Sequence, residues 1–204
     1  MRIRALVLMP PRAAAVLSLL AAAVLAVGTG HASAATLFTT TGHTTRVPVG
    51  ATASATATSP LDWTSGTAVI NKCTHSSLHL VFSENSDATV VGTVVGGSFT
   101  PCVSAGSGNF GTPWRLTVSG SGTMSATNTV WGATIDSVSF NLLGGTYSGN
   151  LTTGVTAIQP TVATSPICIR LANAGSLSGP LFGDARLDGQ YCLSGSAAAF
   201  SLTN

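Results

Sequence analysis

Residues 73–102 read CTHSSLHLVFSENSDATVVGTVVGGSFTPC. Inside the two cysteines, Leu78, Leu80 and Phe82 alternate with His79 and Val81. Val90 and Val94 alternate with Val91, Thr93 and Val95. A period of two is that of a strand with one buried face; helical apolar residues recur at three and four. The same alternation returns through the chain, in Trp114/Leu116/Val118, Val138/Phe140/Leu142, Ile167/Ile169/Leu171 and Phe200/Leu202. Ser and Thr occupy many of the intervening positions and supply a solvated face without charge.

Turn residues separate these runs: Ser59-Pro60, Gly96-Gly97, Gly120-Ser121-Gly122, Gly144-Gly145 and Asp188-Gly189. Asp-Gly is a strong two-residue hairpin signal, because both residues tolerate positive φ. The count is roughly ten strands at short spacing. The expected fold is all-β: an antiparallel β-sandwich of Ig-like or Greek-key type, or a closed β-barrel. Residues 41–60 are low in bulky side chains, with Ala alternating with Thr or Ser from Ala51 to Thr58, and read as an edge strand with small side chains or, alternatively, a flexible leader.

Residues 1–34 have a different grammar. Arg2, Arg4 and Arg12 precede an uncharged run over residues 13–27, then Gly28-Thr29-Gly30 and Ala32-Ser33-Ala34. Basic, apolar and small-residue segments in that order form a secretory signal peptide, with cleavage expected after Ala34. The apolar run would span only about 22 Å as a helix, short of a ~30 Å hydrocarbon core. Residues 35–204 then form a single all-β domain.

Loss of residues 1–34 reverses the charge balance. Five basic residues remain (Arg46, Lys72, Arg115, Arg170 and Arg186) against six acids (Asp62, Glu84, Asp87, Asp136, Asp184 and Asp188), a net charge of −1. So sparse a basic set excludes a nucleic-acid partner, which needs clustered Lys and Arg.

The four cysteines, Cys73, Cys102, Cys168 and Cys192, all fall in the exported part and imply two disulfides. Of three connectivities, Cys73–Cys102 and Cys168–Cys192 is favoured, because each pair brackets a compact run of strands. No C-x-x-C pair suggests zinc. Cys73, His75 and His79 are close in sequence, but residues four apart on a strand lie about 13 Å apart.

Catalytic signals are thin. There is no G-x-S-x-G elbow and no G-K-[ST] phosphate cradle. Asp184 and Asp188 are the one close pair of carboxylates with Gly beside each, the arrangement a secreted hydrolase could use. Trp63, beside Ser59-Pro60 and Asp62, is the candidate exposed ligand contact; Trp114, in phase with Leu116 and Val118, belongs to the core. No cofactor is indicated.

The Ala-rich leader, the Ser/Thr/Gly-rich, charge-poor mature chain and the Cys-bracketed β segments resemble small secreted β-rich proteins of high-GC actinobacteria. The resemblance implies an all-β extracellular or cell-envelope protein. The expected function is structural or binding, without enzymatic activity, toward an envelope component, a glycan or another protein. An envelope β-barrel or pore component is the alternative, and a hydrolase using Asp184 and Asp188 a third.

Replacing both Ala32 and Ala34 with bulky residues should block maturation, since signal peptidase requires small side chains there. N-terminal sequencing of the exported protein checks this. A start at residue 35 in the double variant would remove the cleavage assignment.

Overall fold

The computed structural model describes residues 35–39, 42–103, 106–111, 113–142, 145–162, 165–181 and 183–203. The leader, with Ala32 and Ala34, lies outside them. Among the described residues the chain forms β1 (Thr36–Phe38), β2 (Thr52–Ala57), β3 (Leu61–Ser65), β4 (Ala68–Asn85), β5 (Thr89–Cys102), β6 (Gly106–Phe110), β7 (Trp114–Met124), β8 (Asn128–Leu142), β9 (Gly145–Leu151), β10 (Val155–Pro160), β11 (Cys168–Gly179), β12 (Gly183–Ser194) and β13 (Ser201–Thr203). A 3-10 helix, Gly195–Ala199, joins β12 to β13.

Every pairing is antiparallel, and the pairings close on themselves. β2 and β3 lie end to end between β4 and β12. β6 and β7 share the slot between β5 and β8. β9 and β10 share the slot between β8 and β11. With β4–β5 and β11–β12 paired directly, the ring has eight staves, each following its neighbour in the chain. Of the two expected architectures, the closed barrel describes this connectivity. It is a meander of hairpins returning to its first stave.

Three staves are split, and the sequence shows why. Pro60 falls between β2 and β3, and Pro113 between β6 and β7; neither has an N–H to give a ladder. Gly154, at φ 72°, separates β9 from β10. A Cβ there would lie 2.3 Å from the Ala172 carbonyl oxygen. Two bulges on the unsplit staves are pinned by a neighbour's side chain. Ser137, at φ 58°, donates its N–H to Asn150 Oδ1 at 2.9 Å. Asn173, at φ 51°, donates to Asp188 Oδ1 at 2.6 Å.

Apolar side chains point inward. Leu78, Leu80 and Phe82 are buried while His79 is exposed, as the period-two reading required. Ala53 and Ala55 are also buried on β2. That stave is not an edge, however: it is paired on both sides, because the last long stave closes onto it.

Several expected turns lie inside strands. Gly96-Gly97 is within β5, Gly120-Ser121-Gly122 within β7 and Asp188-Gly189 within β12. Gly97 serves close approach: a Cβ there would sit 2.5 Å from the Ser77 carbonyl oxygen and 2.6 Å from Phe110 Cδ2. At Gly189 a Cβ would press on Leu61 Cδ1 at 3.2 Å.

Both expected disulfides are formed. Cys73–Cys102 bridges β4 and β5, and Cys168–Cys192 bridges β11 and β12; each joins directly opposed residues with Cα atoms 4.0 Å apart. Cys73 is fully buried inside. Cys192 alternates with Tyr191 and Leu193, which face the interior, so the second bridge lies on the outer wall. The closed segments, with separations of 29 and 24 residues, correspond to roughly 3–4 kcal/mol each in the chain-entropy model.

Cys73→Ala should lower unfolding stability by roughly 2–5 kcal/mol and leave Cys102 as a titratable thiol in the unfolded chain. Urea unfolding with thiol counting checks both. An unchanged midpoint would show that the ladder alone holds this hairpin.

Candidate functional site

The barrel interior has two unlike ends. At one, five aromatic rings pack face to edge. Trp63 meets Phe140 at 4.6 Å between centroids, Trp114 meets Phe140 at 4.7 Å, and Phe110 meets Trp114 at 4.5 Å. Phe99 touches Trp63 at 5.3 Å and Phe110 at 5.1 Å. Such pairs contribute about 0.5–1.5 kcal/mol each beyond area burial. The Trp114 Nε1–H donates to the Gly111 carbonyl at 2.8 Å and the Ser139 carbonyl at 3.2 Å.

At the other end a two-stranded ribbon made from both ends of the domain covers the opening. β1 pairs with β13, placing Leu37 opposite Leu202. Side chains of the barrel rim tie the ribbon down. Asn85 Oδ1 accepts the Leu37 N–H at 2.9 Å, and Asn85 Nδ2 donates to the carbonyls of Leu37 and Val47 at 2.7 and 2.9 Å. Gln159 Oε1 accepts the Leu202 N–H at 3.1 Å, and Thr36 Oγ1 donates to the Ser86 carbonyl at 3.1 Å. Phe200 adds an apolar contact, 6.0 Å from Phe82.

Between plug and ribbon lies an apolar chamber of about 70 Å³. Trp114 and Phe140 form part of its wall at the plug end, and Leu37 and Leu202 at the ribbon end. Apart from Gly92, Trp114 and Tyr191, the lining residues are aliphatic or Phe. The Tyr191 hydroxyl is already bonded to Ser76 Oγ at 2.6 Å, a link from β12 to β4 across β2. Burial pushes the Tyr191 phenol well above its ordinary range, against a smaller opposing effect of the Ser76 bond.

The sequence-derived candidates fall elsewhere. Trp63 is 1% exposed and belongs to the aromatic plug, so it is not a surface ligand contact. Leu61 and Trp63 point inward on β3, a strand too short to stand out beside Pro60. Trp114 is buried, as its phase indicated.

Asp184 and Asp188 both lie on β12, out of phase with the buried Ala185 and Leu187. Four residues along one strand separate them by about 13 Å, beyond the ~5–9.5 Å of a glycosidase pair. Asp188 is occupied with the Asn173 amide. The turn geometry expected from their neighbouring glycines is absent at Asp188-Gly189, which is internal to the strand.

Cys73 is committed to its disulfide, while His75 and His79 are exposed on the outer wall. Among the described residues no group of three or more His, Cys, Asp or Glu side chains is placed to hold a metal ion. Surface charges include Lys72 on β4, 3.3 Å from Asp62 on β3, and the exposed Arg46–Asp87 pair in the connections. Exposed pairs of this kind contribute about 0–1 kcal/mol.

The residues that define the chamber's ends were not visible as site residues. Leu37 and Leu202 are apolar positions in short terminal segments, and Asn85 and Gln159 are single amides without a motif. No family model matches the chain, and neither a curated protein nor a solved structure matches it.

Proposed function

We propose that this chain is an exported, disulfide-stapled β-barrel that acts outside the cytoplasm, free or at the cell envelope, as a binding or structural protein without chemistry of its own. The observation that carries this reading is the polarity of the wall. Apolar residues fill the inside, while Ser, Thr and a few charges make up most of the outer face, with Val69, Val95 and Met124 as scattered apolar exceptions. Two cross-strand disulfides accord with an oxidising compartment.

The same polarity weighs against the pore alternative. A lipid-spanning barrel carries an apolar outer band with aromatic girdles around a polar lumen. Here Arg115, Arg170 and Arg186 are exposed on the outer wall, and all three Trp side chains are buried inside. An Arg at a bilayer midplane costs about 2–4 kcal/mol. With aromatic side chains packing one end of the barrel, a partner larger than a few atoms must dock on the outer wall or on the rims. An envelope glycan or another protein fits that requirement. Among the described residues no helix is long and apolar enough to cross a membrane.

Expressed with its leader in a host that exports and oxidises proteins, the mature chain should partition into the aqueous phase of a detergent phase separation. It should also leave the conductance of a planar lipid bilayer unchanged. Recovery in the detergent-rich phase, together with discrete conductance steps, would replace this reading with the pore.

A further inference from the structure

We propose that the chamber between the aromatic plug and the terminal ribbon is a binding site for one small apolar molecule, admitted at the ribbon end. Its size sets the class of guest. At about 70 Å³ it is less than half the ~150 Å³ of an apolar protein cavity that admits benzene. The guest is therefore a xenon-sized atom or a hydrocarbon of two or three carbons.

Its chemistry excludes water. A buried water requires two to four polar partners, and the two lining side chains that carry a polar atom have it bonded already: Tyr191 Oη with Ser76 Oγ at 2.6 Å, and Trp114 Nε1 to the Gly111 and Ser139 carbonyls at 2.8 and 3.2 Å. Gly92 lets Leu80 and Phe82 pack against bare backbone in the wall: a Cβ there would meet Leu80 Cδ2 at 3.3 Å and the Phe82 ring at 3.9 Å.

The route follows from the contrast between the two ends. The plug is five interlocked rings on long staves closed into the ring. The ribbon is three residues paired with three, held to the rim by side-chain hydrogen bonds and a few apolar contacts. Local opening draws on the segments with least buried apolar contact. Lifting β1 and β13 removes Leu37 and Leu202 from the chamber wall without disturbing any stave pairing.

The test uses the purified, oxidised protein with methyl-labelled Leu, Val and Ile, and xenon as the probe. Methyl shifts at Val94, Val118, Ile135 and Leu202 should change saturably with xenon pressure. Those of Val138 and Leu177, buried but outside the lining, should drift only linearly. Ala157→Val, which adds two methyl groups to the chamber wall, should abolish saturation while leaving the Val138 and Leu177 methyl signals in place. Should that variant fail to fold, Gly92→Ala should weaken saturation in the same direction.

Asn85→Ala removes three hydrogen bonds to the β1 region and should speed xenon exchange roughly tenfold at an unchanged saturating shift. Linear drift at all six wild-type methyls would overturn the site. Saturable binding whose exchange rate is the same in folded Asn85→Ala would overturn the route.

Discussion

The closure of β12 onto β2 and β3 is the constraint on which the rest of the molecule depends. Tyr191 stands opposite Ala57 and Ser194 opposite Ser54; farther along, Arg186 stands opposite Thr64 and Asp188 opposite Asp62. All other stave contacts in the ring join chain neighbours through hairpins. This one joins residues some 130 positions apart, so its loop entropy is the largest among the stave pairings of the ring. Without it, β2, β3 and β12 would become edges with open rows of N–H and C=O groups. With it, one enclosed interior exists, and inward-facing side chains are removed from water on every stave at once.

Closure also explains the pins gathered at that seam. Ser76 and Tyr191 join β4 to β12 on the inside. Outside, the Thr58 N–H donates to the Gln190 carbonyl at 2.9 Å, and Ser194 Oγ donates to the Ser54 carbonyl at 3.2 Å. Small side chains suit the first stave for the same reason. Ala53 and Ala55 let it sit close under its two neighbours, and Thr56 Oγ1 on the other face adds a bond of its own, donating to Ser194 Oγ at 3.2 Å. The alternation that looked like a weak edge strand belongs to the residues that accept the end of the chain.

This seam marks the boundary of what could be read in the sequence. Period-two alternation identified the strands because each records burial on one face, a local property of each run. The disulfides were legible because opposed cysteines in adjacent strands also bracket their hairpin in sequence. Ring closure left no such trace, since Tyr191 and Ala57 carry nothing that names each other. Trp63 was misplaced because Pro60 suggested a loop, whereas the proline only interrupts a stave that resumes at once. Gly97 and Gly189 resembled turn residues, yet each makes room for a neighbour across the sheet, a tertiary cause that local turn chemistry cannot report. Asn85 and Gln159 carry the same lesson: an amide that caps a terminal strand is distinguished by its partner alone.

The ribbon pairs β1 with β13, the first and the last of the described strands, and gives both the role of a cover. The cap therefore cannot form until every stave between them has been made, and it seats on a rim that exists only once β4, β8 and β10 have paired. Asn85 stands at the end of β4, and Gln159 lies on β10, so each bond to the ribbon depends on strand order established earlier. Covering the open end is in this sense conditional on closing the wall. Cys73–Cys102 restrains the β4–β5 hairpin that carries Asn85, although the bridge lies toward the plug end of those strands. Covalent restraint of two hairpins of the wall, against a cap held by hydrogen bonds and apolar contacts, leaves the ribbon as the element able to open while the ring stays intact.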